Sequence, residues 1–130
     1  MGYPDIEQLL VAYYKDKTGK RAVTELPGNL EDILAGNTGV IQVTRVPSGA
    51  GYRLDRPQVD VSVWTLKTQR GLCSQIAQQV LDLTTRDLPG PRRPGGVVTA
   101  ASVDVVPYWV PDPNPNLCRY LATYQLAAHL

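Results

Sequence analysis

The sequence predicts one small α+β domain, a mostly antiparallel β-sheet with helices packed on one face. Two segments have apolar residues at helical spacing, and several others alternate with β-branched residues as strands do. Short connections rich in Pro and Gly join successive strands, which favours antiparallel neighbours. A chain of 130 residues can bury one core, so we expect a single domain over residues 1–130.

The first element is a predicted helix from Tyr3 to Asp16, with Asp5 as its N-cap. Its apolar residues form one stripe: Ile6, Leu9, Leu10, Tyr13 and Tyr14. After it, Val23–Leu26 is predicted to be a short extended piece, and Leu30–Leu34 one or two helical turns.

Two strands come next and form a predicted hairpin. Val40–Val46 is a β-branched run, and Gln58–Trp64 alternates, with valines on one face at every second position. The connection between them contains Gly49–Gly51 and is predicted to be flexible.

A second helix is predicted from Thr68, as its cap, to about Thr85, since Leu72, Ile76 and Val80 stack on one face. Such a helix lies on a sheet, with its glutamines on the solvent side. The Pro- and Gly-rich stretch Leu88–Gly96 is predicted to be an exposed loop.

The last two strands form a second predicted hairpin. Val97–Val106 is extended and is predicted to end at Pro107, and Leu117–Ala127 alternates. A stiff loop, Pro111–Asn116, connects them. Asp60 and Asp104 both fall on strands and are predicted to lie on the solvated face of the sheet.

Little catalytic chemistry is available in this chain. Its single histidine, His129, lies next to the C-terminus and cannot complete a catalytic set alone. Cys73 and Cys118 fall on apolar faces and are read as buried free thiols. We therefore expect a binding protein and not an enzyme, with no catalytic, cofactor-binding or metal-binding residues.

The bulk properties exclude further classes. A net charge of +1 gives no general attraction to nucleic acid or to an anionic membrane. We find no signal peptide and no apolar run long enough to span a bilayer, so the expected location is the cytoplasm of the producing cell.

Five arginines are candidate interface residues. Arg45, Arg53 and Arg56 surround the first hairpin loop, and Arg92 and Arg93 lie in the Leu88–Gly96 loop. Basic loops of this kind can be plain solvated charge, contacts for an acidic protein surface, or contacts for nucleic acid. The sequence leaves these three readings open.

An aromatic pair, Tyr108 and Trp109, is the other candidate interface. It lies between Pro107 and Pro111, which restrict the shape of a predicted loop. Rigid aromatic side chains in a loop are typical anchors of protein interfaces. The alternative is that Trp109 folds back over the edge of the sheet.

The order of several motifs resembles the tail terminator (tail completion, or minor tail) proteins of long-tailed bacteriophages. In that family a PxVDVxVW strand, a helix and a WxPDP…RY hairpin follow one another. The matching segments here are Pro57–Trp64, Arg70–Leu83, Gly95–Val98, Pro107–Pro113 and Arg119–Leu126, with Thr24–Pro27 also similar. The sequence departs from the pattern in the long Leu88–Gly96 loop and at Gly49–Gly51.

This resemblance implies a structural virion protein that forms a ring, commonly a hexamer. Such a ring caps the tail tube, ends its growth and provides the surface to which the head joins. The implied partners are copies of the chain, the tail tube protein and a head-completion or neck protein, while DNA only passes through the lumen. No cofactor, catalytic residue or membrane contact is implied, and the location is the virion tail or neck after assembly in the host cytoplasm.

Two alternatives to the tail terminator remain. One is a head-completion or neck connector protein, which belongs to the same structural class. The other is a small ferredoxin-like module that binds a ligand or nucleic acid, for which a pocket lined by Trp64 and tyrosine side chains would be the mark.

Overall fold

A computed structural model describes residues 5–36, 38–46 and 56–129. It has the predicted α+β architecture, with three α-helices and six strands among the described residues. In chain order the elements are α1 Ile6–Thr18, β1 Arg21–Val23, α2 Leu30–Leu34, β2 Val40–Val46, β3 Gln58–Leu66, a 3-10 turn Lys67–Gln69, α3 Arg70–Asp82, a π-helical turn Leu83–Asp87, β4 Arg92–Arg93, β5 Gly96–Trp109 and β6 Leu117–His129.

The six strands form one sheet in the order β1-β2-β3-β6-β5-β4. Both predicted hairpins, β2–β3 and β5–β6, are antiparallel, and an antiparallel β3–β6 pairing joins them. β1 pairs with β2 in parallel, so the sheet is mixed. The connection from β1 to β2 contains α2, which gives the chain the length to return to the same end of the sheet.

The main core lies between one face of the sheet and the helices α1 and α3. Alternate residues of the strands point into it, as the valines of β3 show. Its larger buried side chains are Ile6, Leu10, Tyr14, Ile41, Val59, Val61, Leu88, Tyr124 and Leu126. We call this side of the sheet the helix face, and the other side the open face.

The short helix α2 lies on the open face. Leu30 and Leu34 pack there against Val40 of β2 and Trp64 of β3, in a second, smaller cluster. The indole N–H of Trp64 donates to Gln42 Oε1 at 3.1 Å. The two long helices, α1 and α3, therefore share the helix face of the sheet. The short helix α2 covers one end of the open face.

The helix ends agree with the prediction at α1 and differ at α3. Asp5 caps α1, where its Oδ1 accepts from the backbone N–H of Gln8 at 3.2 Å. Gly19 ends the helix with φ 69°, a left-handed conformation that glycine adopts easily. Thr68 does not cap α3 as predicted, because it lies inside the 3-10 turn and α3 begins two residues later without a side-chain cap.

Three boundary predictions were wrong. The extended piece near Val23 begins earlier, because the strand that pairs with β2 is Arg21–Val23. The Leu88–Gly96 stretch is not simply an exposed loop, since Leu88 is fully buried and β4 pairs with the start of β5. Pro107 does not end the strand: a register shift between Val105 and Tyr108 accommodates it, as bulges do for a residue that cannot donate to the ladder.

The predicted glycine loop Gly49–Gly51 lies outside the described residues, as do the first residues of the predicted first helix. None of the helices that the structure describes is long and apolar enough to cross a membrane.

Candidate interaction surface

The outer side of β5 is a long open strand edge. β4 pairs only with Gly96 and Val97, and the backbone N–H of Gly90 donates to the Val98 carbonyl at 2.8 Å. Beyond that point no strand of the described chain pairs with β5 on this side, as far as its end at Trp109. Open edges of this length offer unpaired backbone groups to another chain.

This open edge also carries apolar side chains. Every large hydrophobic side chain that is exposed among the described residues lies on the second half of β5. They are Val103, Val105, Val106, Tyr108 and Trp109, with between 38% and 59% of their surface accessible. We call residues 99–109 the β5 edge surface. Large apolar side chains that are exposed along an unpaired strand edge are a mark of an association site.

The opposite edge of the sheet, formed by β1 and β2, is only partly open. β1 covers only the first part of β2, and α1 covers part of the rest: the backbone N–H of Arg45 donates to Glu7 Oε2 at 3.1 Å. A carboxylate that occupies an edge donor prevents another strand from using it. The two edges of the sheet therefore differ in their capacity to bind a further strand.

The aromatic pair is part of β5 and not of a loop, which corrects the prediction. Tyr108 and Trp109 are each about half exposed. The guanidinium of Arg70 lies over the Trp109 ring, 4.8 Å from its centroid, and Arg70 Nε donates to the Tyr120 hydroxyl at 3.4 Å. Arg70 thus holds the indole at the end of the strand while leaving much of it accessible.

A shallow groove of about 370 Å³ runs between α1 and β4, and a second of about 330 Å³ lies beside Trp109. The second groove is lined by Lys67, Arg70, Trp109 and the Pro-rich turn between β5 and β6. Neither contains Trp64, whose ring is buried under α2.

Arg93 is a structural residue. Its guanidinium lies 4.6 Å from the centroid of the Tyr13 ring, and its NH2 group donates to the Asp87 carbonyl at 2.7 Å. The same group is 3.5 Å from the Asp87 carboxylate, and Nε donates to the Leu88 carbonyl at 3.3 Å. These contacts hold β4 against α1 and leave 16% of the Arg93 side chain accessible.

Asp87 is the centre of this polar cluster. The Tyr13 hydroxyl donates to its carboxylate at 2.7 Å, and Lys17 approaches to 3.8 Å. The hydrogen bond from Tyr13, together with Lys17 and Arg93, holds the pKa of Asp87 below its usual value. Burial and the contact with Asp87 raise the pKa of the Tyr13 hydroxyl well above its usual range.

The remaining candidate arginines do not form one surface. Arg45 is the penultimate residue of β2 and is partly buried, and Arg56 is exposed just before β3. Arg92 is exposed in β4, and β3, β6 and β5 separate that strand from β2. Arg53 lies outside the described residues.

The open face of the sheet carries a polar network that the sequence analysis did not identify. Thr123 Oγ1 donates to Asp60 at 2.7 Å, and Gln58 Nε2 donates to Asp104 at 3.2 Å. Beyond them, Arg119 donates from Nε to Ser62 at 3.1 Å and lies over the Trp64 ring. The alternation of polar residues on β3 and β6 was the available signal for this network. Asp60 and Asp104 both lie on this face, as predicted.

The two thiols are inert by their surroundings. Cys73 and Cys118 are buried and not bonded to each other, and the Cys73 thiol donates to the Val63 carbonyl at 3.1 Å. Burial, with a smaller contribution from Cys118, raises the pKa of Cys73 to about 12. Within the described ranges no three His, Cys, Asp or Glu side chains come together as a metal site would require.

Comparison of the chain with protein-family models and with curated proteins finds no match. The structure has an extended strand edge with exposed apolar side chains along β5, whereas the opposite edge is partly covered by α1.

Proposed function

We propose that this chain is a ring-forming tail terminator of a long-tailed bacteriophage. In this role it is a structural and non-enzymatic protein that caps the tail tube, ends tube growth and provides the surface to which the head joins. The observation that supports the proposal is the β5 edge surface, where an unpaired strand edge coincides with the exposed large hydrophobic side chains of the described chain.

The physical argument starts from the cost of such an edge. Proteins that remain monomeric protect long edge strands with charges, prolines or covering segments. Here Asp104 is the one charge and Pro107 the one proline between Val103 and Trp109, and the pairing with β6 shifts register twice in this stretch. No strand of the described chain covers this edge and its large apolar side chains are exposed, which suits permanent contact with another subunit that buries them.

A ring adds a geometric requirement. Each subunit must present two different surfaces, one to each neighbour, and the rotation between neighbours must close. The sheet meets the first condition, because its two sides differ: one is the β5 edge surface and the other is β1 with the covered edge of β2. We propose a hexamer, the ring size that the sequence resemblance implies.

The charge distribution suits a ring through which DNA passes. The charged side chains of the network on the open face, Asp60, Asp104 and Arg119, are of mixed sign, and two of the three are acidic. A strongly basic lumen would hold DNA by releasing its counterions, whereas mixed charge allows it to pass. The proposed protein partners are the tail tube protein on one side of the ring and a head-completion or neck protein on the other.

The test is the mass of the purified chain in solution, measured by light scattering over a range of concentrations with and without tail tubes. We expect a closed ring of six chains, or a monomer that becomes a ring on tube ends, and tubes that stop growing when it is added. A neck connector would form a ring but leave tube growth unchanged. A strict monomer that is indifferent to tubes would contradict the proposal.

A further inference from the structure

We infer that the β5 edge surface of one copy binds the edge strand β1 of a second copy, so that the sheet continues from subunit to subunit. The inference rests on the proposed function in requiring self-association, and it adds which strands meet, in which direction and through which side chains. Four features of the described chain support it.

The first feature is strand direction. β1 is parallel to β2, while β2–β3, β3–β6 and β6–β5 are all antiparallel. β1 and β5 therefore run in opposite directions within one sheet. A neighbour placed head to tail beside the sheet keeps these directions, so its β1 meets β5 in the antiparallel arrangement, which is the more stable of the two pairings.

The second feature is the space at the edge. β4 already occupies the outer side of β5 at Gly96 and Val97, and Gly90 occupies the Val98 carbonyl. At the other end Pro107 has no N–H to donate. Residues 99–106 remain, with register shifts against β6 at Val98/Ala100 and Val103/Val105, and they are still more than the three residues of β1. The neighbour's β1 would continue the row that β4 begins.

The third feature is that the opposite edge of the sheet has only one strand that can pair with a neighbour. Beyond β1 the edge of β2 is occupied by α1, through the bond from the Arg45 N–H to Glu7. β1 has no strand on its outer side among the described residues. β1 is therefore the strand of this edge that can pair with a neighbour.

The fourth feature is charge. Ala22 of β1 pairs with Ile41 and lies on the helix face, so Arg21 lies on the open face and is exposed. On β5, Asp104 faces the same open side, where it accepts from Gln58. A continued sheet keeps its faces, so the Arg21 guanidinium of one copy comes to the Asp104 carboxylate of the next. Opposite charges across neighbouring strands stabilise the pairing.

Pairing of β5 with β5 of a second copy is less favourable. It would bring two Asp104 carboxylates to the same face near the middle of the contact, where like charges are destabilising. It would also form a closed two-fold dimer and leave the β1 edge of each copy unpaired. The heterologous contact satisfies both edges with one interface.

Disulfide trapping in the full chain tests the pairing. Cβ atoms of facing residues on antiparallel strands lie about 4.5–5.5 Å apart, close enough for a disulfide after a small adjustment. The double variant Asp104→Cys with Arg21→Cys is expected to give a covalent ladder up to the closed ring on a non-reducing gel. The native thiols Cys73 and Cys118 are buried and do not interfere.

Single variants provide the matched controls. Each alone is expected to remain uncrosslinked, and an equimolar mixture of the two should give covalent dimers and nothing larger, because each chain then carries one half of a junction. Covalent dimers from Asp104→Cys alone would overturn the inference in favour of β5 pairing with β5.

Failure of the inference and failure of the proposed function are distinguishable, because ring mass and arrest of tube growth are measured on the same samples. Rings that arrest tubes, yet show no crosslink from Asp104→Cys or Ser102→Cys to Arg21→Cys or Val23→Cys, would contradict the β1–β5 contact and leave the terminator role intact. A monomer without effect on tubes would contradict both.

Charge reversal is an independent test that forms no covalent bond. Asp104→Lys or Arg21→Asp alone is expected to raise the dissociation constant of the ring by about three- to tenfold. The two reversals together should restore it. Restoration by the pair supports direct contact, whereas additive weakening would contradict it.

Discussion

The backbone N–H of Arg45 donates to the carboxylate of Glu7 across 3.1 Å, which joins the end of β2 to the first turn of α1. The bond matters for assembly because it occupies a donor on a sheet edge that would otherwise be free. It makes the two edges of the sheet different, and a ring of heterologous contacts needs two different surfaces on each subunit.

Removal of this carboxylate should expose the second edge. We expect Glu7→Ala to lower the free energy of unfolding by about 1–2 kcal/mol, since a hydrogen bond to a charged group is lost, and to cause irregular self-association. Glu7→Gln keeps an acceptor oxygen and is the matched control. Urea unfolding and light scattering measure the two effects, and equal behaviour of both variants would argue against a role for this bond.

A charge on the β5 edge surface should prevent assembly without unfolding the subunit. Val106 is 59% exposed, so Val106→Lys should change the stability of the monomer by less than about 0.5 kcal/mol. Sedimentation should show loss of the ring, because burial of an unpaired lysine at the contact is costly. Gln78→Lys, on the exposed side of α3, is the control that should assemble normally. If Val106→Lys still formed the ring, the role of the β5 edge surface in assembly would be contradicted.

Two buried tyrosines should respond oppositely to loss of their hydroxyl. Tyr14 shares a hydrogen bond of 2.6 Å with Thr84, whereas the buried Tyr124 hydroxyl has no partner among the described residues. Tyr14→Phe should therefore destabilise the protein by about 1 kcal/mol, and Tyr124→Phe should be neutral or stabilising. Denaturant midpoints of the two variants decide this, and a loss in Tyr124→Phe equal to that in Tyr14→Phe would contradict it.

The contact between β4 and α1 should weaken in acid. The pKa of Asp87 is lowered in the folded protein, mainly by the hydrogen bond from Tyr13 and also by Lys17 and Arg93. A carboxyl group with a lowered folded pKa stabilises the fold above its unfolded pKa, and this contribution is lost as the pH falls from about 4 through the folded value. Asp87→Asn should flatten that part of the stability curve, measured by thermal unfolding between pH 2 and 6.

The cysteines should resist thiol reagents in the folded state. With its pKa raised to about 12, Cys73 forms almost no thiolate near neutral pH. We expect no labelling of Cys73 or Cys118 in the native protein and full labelling in denaturant, followed by mass spectrometry. Rapid native labelling would show that this part of the core opens, and the trapping experiment would then need a background without these thiols.

Local sequence pattern was sufficient wherever one segment decides its own structure. The cap at Asp5, the apolar stripe of α1, and the alternation in β3 with its hairpin partner β2 were all predictable, because propensity and periodicity act over a few residues. Prediction failed at Pro107, which proline rules place at a strand end. Pairing along β6 over many residues keeps β5 extended past it.

Candidate interface residues were harder to predict, because type and position in the chain do not reveal partners. Arg93 reads as an exposed loop cation, yet Tyr13 and Asp87 hold it in place. Trp109 reads as a loop anchor, yet it ends a strand beneath Arg70. In each case the deciding contact comes from a segment that is distant in sequence.

By itself, the sequence determined the α+β class, the two hairpins and the face to which most strand residues point, since these follow from the spacing of neighbouring side chains. Only the tertiary structure decided the strand order, the parallel β1, the closure of one edge by Glu7 and the opening of the other along β5. The physical reason is that an edge is defined by which strands pair and which do not. Pairing depends on hydrogen bonds between segments that are far apart in the chain, and local periodicity carries no information about them.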